Sequence, residues 1–492
     1  MESINRLFLV CLIAKFACCS DSIAKTNNVG VVQVLTTHQA YEQLLPWQKR
    51  QPGTRSGYGV RVANDQILTT EALVRNATLV ELRLPQSGKK IEAQVLETAP
   101  AANLAILKVS TPKALQNTVI HQVADRYNTT KPSTIAQFDD TRERQYGEAT
   151  HIKTSLSMLP NGGGQALLHS LQTDLVLNGR GAPVLQDGKL AGIVSSYATA
   201  TRSAELIAAQ QLHDFVQAVK AGEFVGYATA GFSWATLNDP QKRRYLGAHS
   251  LEGGVLVLGT RPGSGAAASL RPQDIILSWD GFAIDDLGFY TDPDYGRLLM
   301  PYLIKGRRKP GDTIKVKLLR DRKPIDVSVV LANIDTVDTL IEENLTNERA
   351  EFVLEGGVLI RELTGAYLRA YGDSWSTRIN ARLVHLYYTQ NKVQRDPGER
   401  IVIISRVIPD PINRGFEMFT NNIVTELNGK PVKNMTDVFA IRNADQQITR
   451  IKVQSVGVDL VLDPSTLEIA NQRIAQRYRI PYLSYQIPTS TD

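Results

Sequence analysis

From Val29 to Leu206 the chain alternates short apolar runs with turn residues, and that pattern confines the stretch to strands rather than helices. Val29–Leu35, Val60–Leu68, Thr78–Leu84, Ile91–Leu96 and Leu104–Val109 are typical of these runs. Strands of this length in unbroken succession make an all-β barrel domain. A helical pattern follows over Ala204–Val219, with Leu206, Ile207, Leu212, Phe215 and Val219 near one face, and is expected to close the domain. A chain of 492 residues exceeds what one core holds, so further domains must follow.

Charge excludes one class of partner. The 55 basic and 49 acidic side chains are spread along the chain without a dense Lys/Arg block, which reads as a solvated surface rather than a nucleic-acid patch. At the N-terminus, Arg6 precedes the apolar run Leu7–Ala14 and the small residues Ala17, Cys18, Cys19 and Ser20. This is the layout of a signal peptide over 1–20, with an apolar run too short to cross a bilayer. Export to the periplasm, the cell envelope or the exterior is the expectation. Cys11, Cys18 and Cys19 are the three cysteines of the chain, so no disulfide framework exists beyond that segment. Cys18 and Cys19 are lipidation candidates, and such a lipid is the one membrane anchor the sequence offers.

The second half repeats itself. Asp274–Gly281 (DIILSWDG) recurs in type as Asn422–Gly429 (NIVTELNG). Each copy follows an apolar strand, Val255–Leu258 or Ile401–Ser405, and then a further segment, Gly263–Leu270 or Ile412–Phe419. Near the end, Asp463 is an N-cap and Pro464 a first-turn residue for a helix with Leu467, Ala470, Ile474 and Tyr478 on one face. Phe352–Leu359 reads as a strand and Ser376–Tyr388 as a helical insertion.

The segment Leu171–Asn178 (LQTDLVLN) leads into Gly179–Pro183 (GRGAP), and Val184–Gly192 (VLQDGKLAG) leads out as a hairpin. This framing resembles the HtrA/Deg serine proteases, whose pattern is TDAAIN followed by GNSGGP. Leu45–Gln48, Gly231 with Phe232, and Arg479–Pro481 resemble the plant-type Deg branch and its bacterial relatives. The resemblance implies a mainly β protein: a chymotrypsin-like double β-barrel over 25–222, then two PDZ-like α+β domains over 223–335 and 350–492, the second ending in the C-terminal helix. It also implies a homo-trimer or co-assembly with an active relative.

Peptide cleavage by such a fold needs a hydroxyl nucleophile, an imidazole to take its proton and a carboxylate to orient the imidazole. The family's histidine motif, LTNAHVV, reads here Leu68–Val74 (LTTEALV), which puts Ala72 in the histidine's place. Its aspartate motif, DxDLALLK, reads Ala102–Lys108 (ANLAILK), with Asn103 in the aspartate's place, and Arg180 stands where the serine belongs. The resemblance therefore implies a degenerate triad and a homologue without protease activity. The loop before Arg180 is also shorter than the family's, which disturbs the backbone donors of an oxyanion hole.

No substitute constellation is readable. None of the seven histidines stands in a motif that pairs it with a serine; His169 with Ser170 comes nearest but precedes the strand that would line a pocket. Glu71 reads as a solvated strand-end residue. Histidines lack ligand spacing, so no metal and no cofactor are expected, and Gly162–Gly164 reads as a hairpin loop rather than a phosphate cradle. Arg180 reads as a solvated side chain, with pairing to a carboxylate of a peptide or of the chain itself as the sharper alternative. What remains is peptide binding. PDZ modules add an extended peptide, often a C-terminal one, as a strand, and Ala230, Gly231, Phe232, Ser233 and Trp234 are the expected loop. Three function classes stand: an inactive homologue that binds unfolded exported polypeptides or modulates an active relative, an active serine-type endopeptidase with non-standard residues, and a structural PDZ tether.

Overall fold

Alternation in the first half resolves into two closed six-stranded barrels. The first is built from β1 (Val31–His38), β2 (Gly53–Arg61), β3 (Gln66–Thr69), β4 (Ala77–Arg83), β5 (Lys90–Ala99) and β6 (Leu104–Val109), in the order β1-β2-β3-β6-β5-β4. The second is built from β7 (Ser133–Phe138), β8 (Arg144–Met158), β9 (Gln165–Thr173), β10 (Pro183–Gln186), β11 (Lys189–Ala198) and β12 (Ser203–Ala208), in the order β10-β11-β12-β9-β8-β7. Val32, Val34, Ile67, Val80, Leu82 and Leu107 fill the first barrel. Closure leaves neither sheet a free edge, which suits strands with one buried and one wet face. A short helix, α1 (Glu71–Val74), follows β3, and α2 (Ala209–Ala221) follows β12.

The computed structural model describes residues 30–84, 88–139, 141–160, 162–345, 348–392, 395–454 and 457–488. They group into two units, the first made of residues up to His38 with Gly53–Phe224, the second of Gln39–Pro52 with the residues from Val225 onward. The barrel stretch is thus interrupted: Gln39–Pro52, which joins β1 to β2 in sequence, belongs to the second unit. Two readings of the first unit need correction. Val60–Leu68 is two strands joined by a turn, and Ala204–Val219 begins as β12, where Leu206 pairs with His169 and Ile207 with Leu168, before α2 starts at Ala209. Leu206 and Ile207 fit a helical face and a strand equally well over so few residues, and the barrel's open ladder decides.

Among the described residues the second unit holds two large sheets, besides the two-stranded pairs Ala228–Thr229 with Ala332–Asn333 and Phe289–Asp292 with Gly296–Leu299. In the first, Phe232–Ala235 is an edge strand beside Val255–Thr260, followed by Ile275–Trp279, Thr313–Arg320 and Lys323–Val330. The second runs from Leu460–Val461 through Arg450–Val453, Asn422–Leu427, Val402–Val407, Val358–Glu362 and Phe352–Glu355 to Ser484–Tyr485. The internal repeat is structural as well as sequential. Asp280 and Gly281 have φ of 53° and 84°, Asn428 and Gly429 have 50° and 78°, and each pair turns its strand into a hairpin. Two consecutive positive φ values are what Asp-Gly and Asn-Gly supply at least cost. Between strand and final hairpin the copies differ, the second using the helix Met435–Asp445 and the first a hairpin plus the short helix Tyr302–Lys305.

Phe352–Leu359 is not one strand, because Gly356 and Gly357, both at positive φ, fold it into a hairpin. The insertion is broken at Ile379 and Asn380 into Trp375–Arg378 and Ala381–Thr389, with Asn380 capping the second piece through Arg382 N–H. Pro464–Tyr478 is a helix capped by Asp463, as expected, and it buries Leu467, Ala470 and Ile474.

Candidate functional site

At the end of β3 the chain passes through Thr69 and Thr70 into α1, which presents Glu71 and Ala72. Asn103, fully buried ahead of β6, fixes this turn from two sides. Its side-chain Oδ1 accepts the Ala72 N–H at 2.9 Å and its backbone oxygen accepts the Glu71 N–H at 3.2 Å. Its Nδ2 donates to Ser195 Oγ on β11 at 3.3 Å, so one amide joins both barrels. Asn103 sits at φ 55°, a left-handed conformation that asparagine tolerates better than most residues.

Arg180 comes to the same place by its backbone. Its carbonyl accepts Tyr58 N–H at 2.8 Å, bridging to β2 at Gly57. A Cβ on Gly57 would lie 2.7 Å from that carbonyl and 2.9 Å from Leu73 of α1, so Gly57 is squeezed between loop and helix. Gly181, at φ 79°, is tighter still: a Cβ there would stand 2.1 Å from Tyr58 O. These contacts place Ala72, Asn103 and Arg180 around one cleft of the barrel unit, with the Arg180 side chain exposed. None of the three side chains is a general base or an oxygen nucleophile: they are a methyl, an amide and a guanidinium.

In the serine-protease arrangement the oxyanion donors are the N–H of the nucleophile and that of the residue two positions before it. Two positions before Arg180 lies Asn178, whose N–H is directed to Gln137 Oε1 at 3.2 Å. Tyr58 OH donates to Asn178 Oδ1 at 2.6 Å and Asn178 Nδ2 donates to Phe138 O at 2.8 Å, so the loop is held from its own side chain too.

Sequence reasoning missed four participants. Arg55 lays its Nη1 on the carbonyls of Ala72 at 2.9 Å and Arg75 at 3.2 Å. Glu71 is buried, not solvated, and is gripped by Arg75 through Nε at 2.8 Å and Nη2 at 2.5 Å. The signal for that pair was present, since Arg75 lies one helical turn after Glu71. Ser195 and Gln137 had no sequence signal, as each comes from a distant strand. His169 and Ser170 do not pair: Ser170 Oγ donates to Glu205 at 2.7 Å, and His169 is buried against Thr154 and Tyr127, which pushes its pKa down to about 3. Gly162–Gly164 is the β8–β9 hairpin loop, as expected. Among the described residues no group of His, Cys, Asp or Glu has a metal-binding arrangement. Cys18 and Cys19 lie outside the described residues.

In the second unit the expected peptide loop is tied down at Gly231. Its φ of 73°, its N–H to Thr229 Oγ1 at 3.2 Å, and its carbonyl accepting Arg261 N–H at 2.8 Å and Ser264 Oγ at 3.1 Å fix the turn. Ala230 is buried, Phe232 stacks on Trp279 at 5.3 Å, Trp234 lies over Gly288, and Ser233 is half-buried on the edge strand. The turn Gln390–Lys392 packs against this strand and its neighbour Val255–Thr260.

Comparison with known proteins adds the following. Residues 341–484 match the family model of a PDZ domain. A mitochondrial protein of Arabidopsis thaliana named for its likeness to protease Do, Do-like 3, is 24% identical over 463 residues, covering 92% of this chain and 78% of its own. The periplasmic pH-dependent serine endoprotease DegQ of Escherichia coli is 25% identical over 344 residues, 64% of this chain and 66% of its own. Among solved structures, a variant of the HtrA-type protease AlgW with a decapeptide superposes with a TM-score of 0.50 at 18% identity, over 63% of this chain and 96% of that one. At that identity the match speaks for the fold alone.

Proposed function

We propose that this chain, which carries a PDZ domain and is similar to HtrA/Deg-type proteases, is a pseudoprotease, a peptide-binding relative that does not cleave. One observation carries the reading: Asn103 directs Oδ1 to the backbone of residue 72 and Nδ2 to Ser195, the arrangement that would orient an imidazole, and residue 72 is alanine. With Arg180 in the nucleophile's position, none of the three triad positions offers a group to attack a carbonyl or to take the proton. Its work is then done by binding unfolded exported polypeptides or C-terminal peptides through its PDZ modules, the first of them at Ala230–Trp234, alone or in co-assembly with an active relative as a trimer. The strand Phe232–Ala235 ends its sheet, so a peptide added to that edge displaces the turn Gln390–Lys392. Export to the periplasm or envelope, with or without a lipid on Cys18 or Cys19, belongs to the same proposal.

A second reading, an active endopeptidase, has on its side that the bacterial relative is named a serine endoprotease. One experiment separates them. The purified chain is incubated with casein and with a fluorophosphonate probe; the pseudoprotease gives neither cleavage nor labelling. Cleavage abolished by the probe would sink the proposal.

A further inference from the structure

The surroundings of Ala72 are rich in cations. Three arginines lie in its neighbourhood: Arg55 from β2 and Arg75 after α1 bond at α1 through their side chains, and Arg180, in the loop before β10, joins β2 through its backbone at Gly57, two residues from Arg55. Arg75 is committed to Glu71 by a two-bond guanidinium–carboxylate pair. Arg55 is fixed by the carbonyls of Ala72 and Arg75, and both bonds are made by one of its nitrogens, Nη1. Arg180 keeps its backbone on β2 and sends its side chain into solvent. Burial first, then Arg75 and Arg180, lower the Arg55 pKa, with Glu71 acting in the opposite direction, so the guanidinium groups feel one another. Three positive charges against one buried carboxylate leave an excess that an anion relieves, and the Glu71–Arg75 pair shows the geometry that such an anion adopts here.

We propose that Arg55 and Arg180 form a carboxylate-binding site in this cleft, which takes an Asp or Glu side chain of an extended acidic polypeptide. Arg55 supplies a preorganised donor that is already immobilised, and Arg180 closes on the ligand from the exposed side, so that little side-chain entropy is lost beyond that of one arginine. The site rests on the reading of a cleft emptied of catalytic groups, and the two fail separately: probe labelling or casein cleavage overturns that reading whatever the arginines bind.

The test measures fluorescence anisotropy of the full chain with two labelled decapeptides, one alternating Glu and Ala, the other Gln and Ala, at low and at physiological salt. The Glu peptide is expected to bind at least tenfold more tightly at low salt, with the preference shrinking as salt rises. Arg180→Gln should bring the preference below twofold, while Arg180→Lys keeps part of it; Arg180 makes no side-chain contact that folding needs, so circular dichroism of both variants should match the parent. Equal binding of the two peptides, or a preference untouched by Arg180→Gln, would overturn the proposal. So would inorganic phosphate displacing the Glu peptide at an equal concentration of charge, because the site would then be one for small anions.

Discussion

Asn103 is a structural keystone whatever the chemistry of its surroundings. It is buried, and both ends of its amide are bonded, to the Ala72 N–H and to Ser195, so its role in holding α1 against the second barrel is independent of any proton transfer. On the proposed reading, Gln137 also occupies the Asn178 N–H, a group that an oxyanion hole would need free. A histidine restored at position 72 would stand beside the Arg55 guanidinium, which disfavours the imidazolium and makes it a poor base. The Asn178 N–H would still point to Gln137, and loss of one oxyanion donor costs about 10²–10³ in kcat. The triple variant A72H/N103D/R180S is therefore expected to remain at least about a hundredfold slower than an active relative on a fluorogenic peptide. Recovery of full turnover would show that side chains alone had been lost.

Among the elements, the β8–β9 pair carries a titration. His169 accepts or donates at Nδ1 with Thr154 Oγ1 at 2.8 Å, Thr154 also meets His151 Nε2 at 2.9 Å, and Tyr127 stacks on His169 at 4.4 Å. Burial lowers the His169 pKa from 6.5 to about 3, with His151 adding to the shift. The unfolded chain binds this proton below 6.5 and the folded chain does not until about 3, so the contribution is complete above pH 6.5 and is lost as pH falls between the two values. Urea unfolding at pH 7 and pH 4 is expected to differ by about 3 kcal/mol on this account, and His169→Gln to flatten that part of the profile. The same elements show what the sequence could reveal. Alternation along β1, β4 and β5 announced their strands, because one face of each is more packed than the other, whereas β6 announced itself as a short apolar run buried on both faces. The pattern misjudged β12, where Leu206 and Ile207 satisfy both periods, and the hairpin at Gly356 and Gly357, where the apolar run Phe352–Leu354 resumes at Val358 directly after the turn. Ala72, Asn103 and Arg180 could be singled out because motifs surround them; Arg55, Gln137 and Ser195 could not, because only the closure of the barrels brings their strands together.

Across the whole chain, order in sequence and order in space part company at Gln39–Pro52. Arg361, fully buried in the second unit, directs Nη1 to Gln43 O, Nη2 to Gln43 Oε1 at 3.2 Å and Nε to Glu362 O, and lies over the Tyr367 ring at 5.0 Å. Burial holds its pKa down to about 10, and none of these four partners is a carboxylate. A buried charge depends on its hydrogen bonds, and two of the groups that satisfy this one come from a segment that the sequence places between two barrel strands. Trp47 of that segment packs on Phe352 at 5.8 Å, and Arg349 donates to Tyr41 OH at 2.9 Å, so the segment supplies both a polar and an apolar anchor. Gln43→Ala removes the Oε1 acceptor while keeping the carbonyl, and is expected to cost about 1–3 kcal/mol. The loss should be located by hydrogen exchange in Phe352–Glu362 rather than in β1 or β2, although residue 43 lies between those strands in the chain. Protection lost first in β1 and β2 would mean that Gln39–Pro52 serves the barrel that encloses it in sequence, and that Arg361 finds its partners elsewhere.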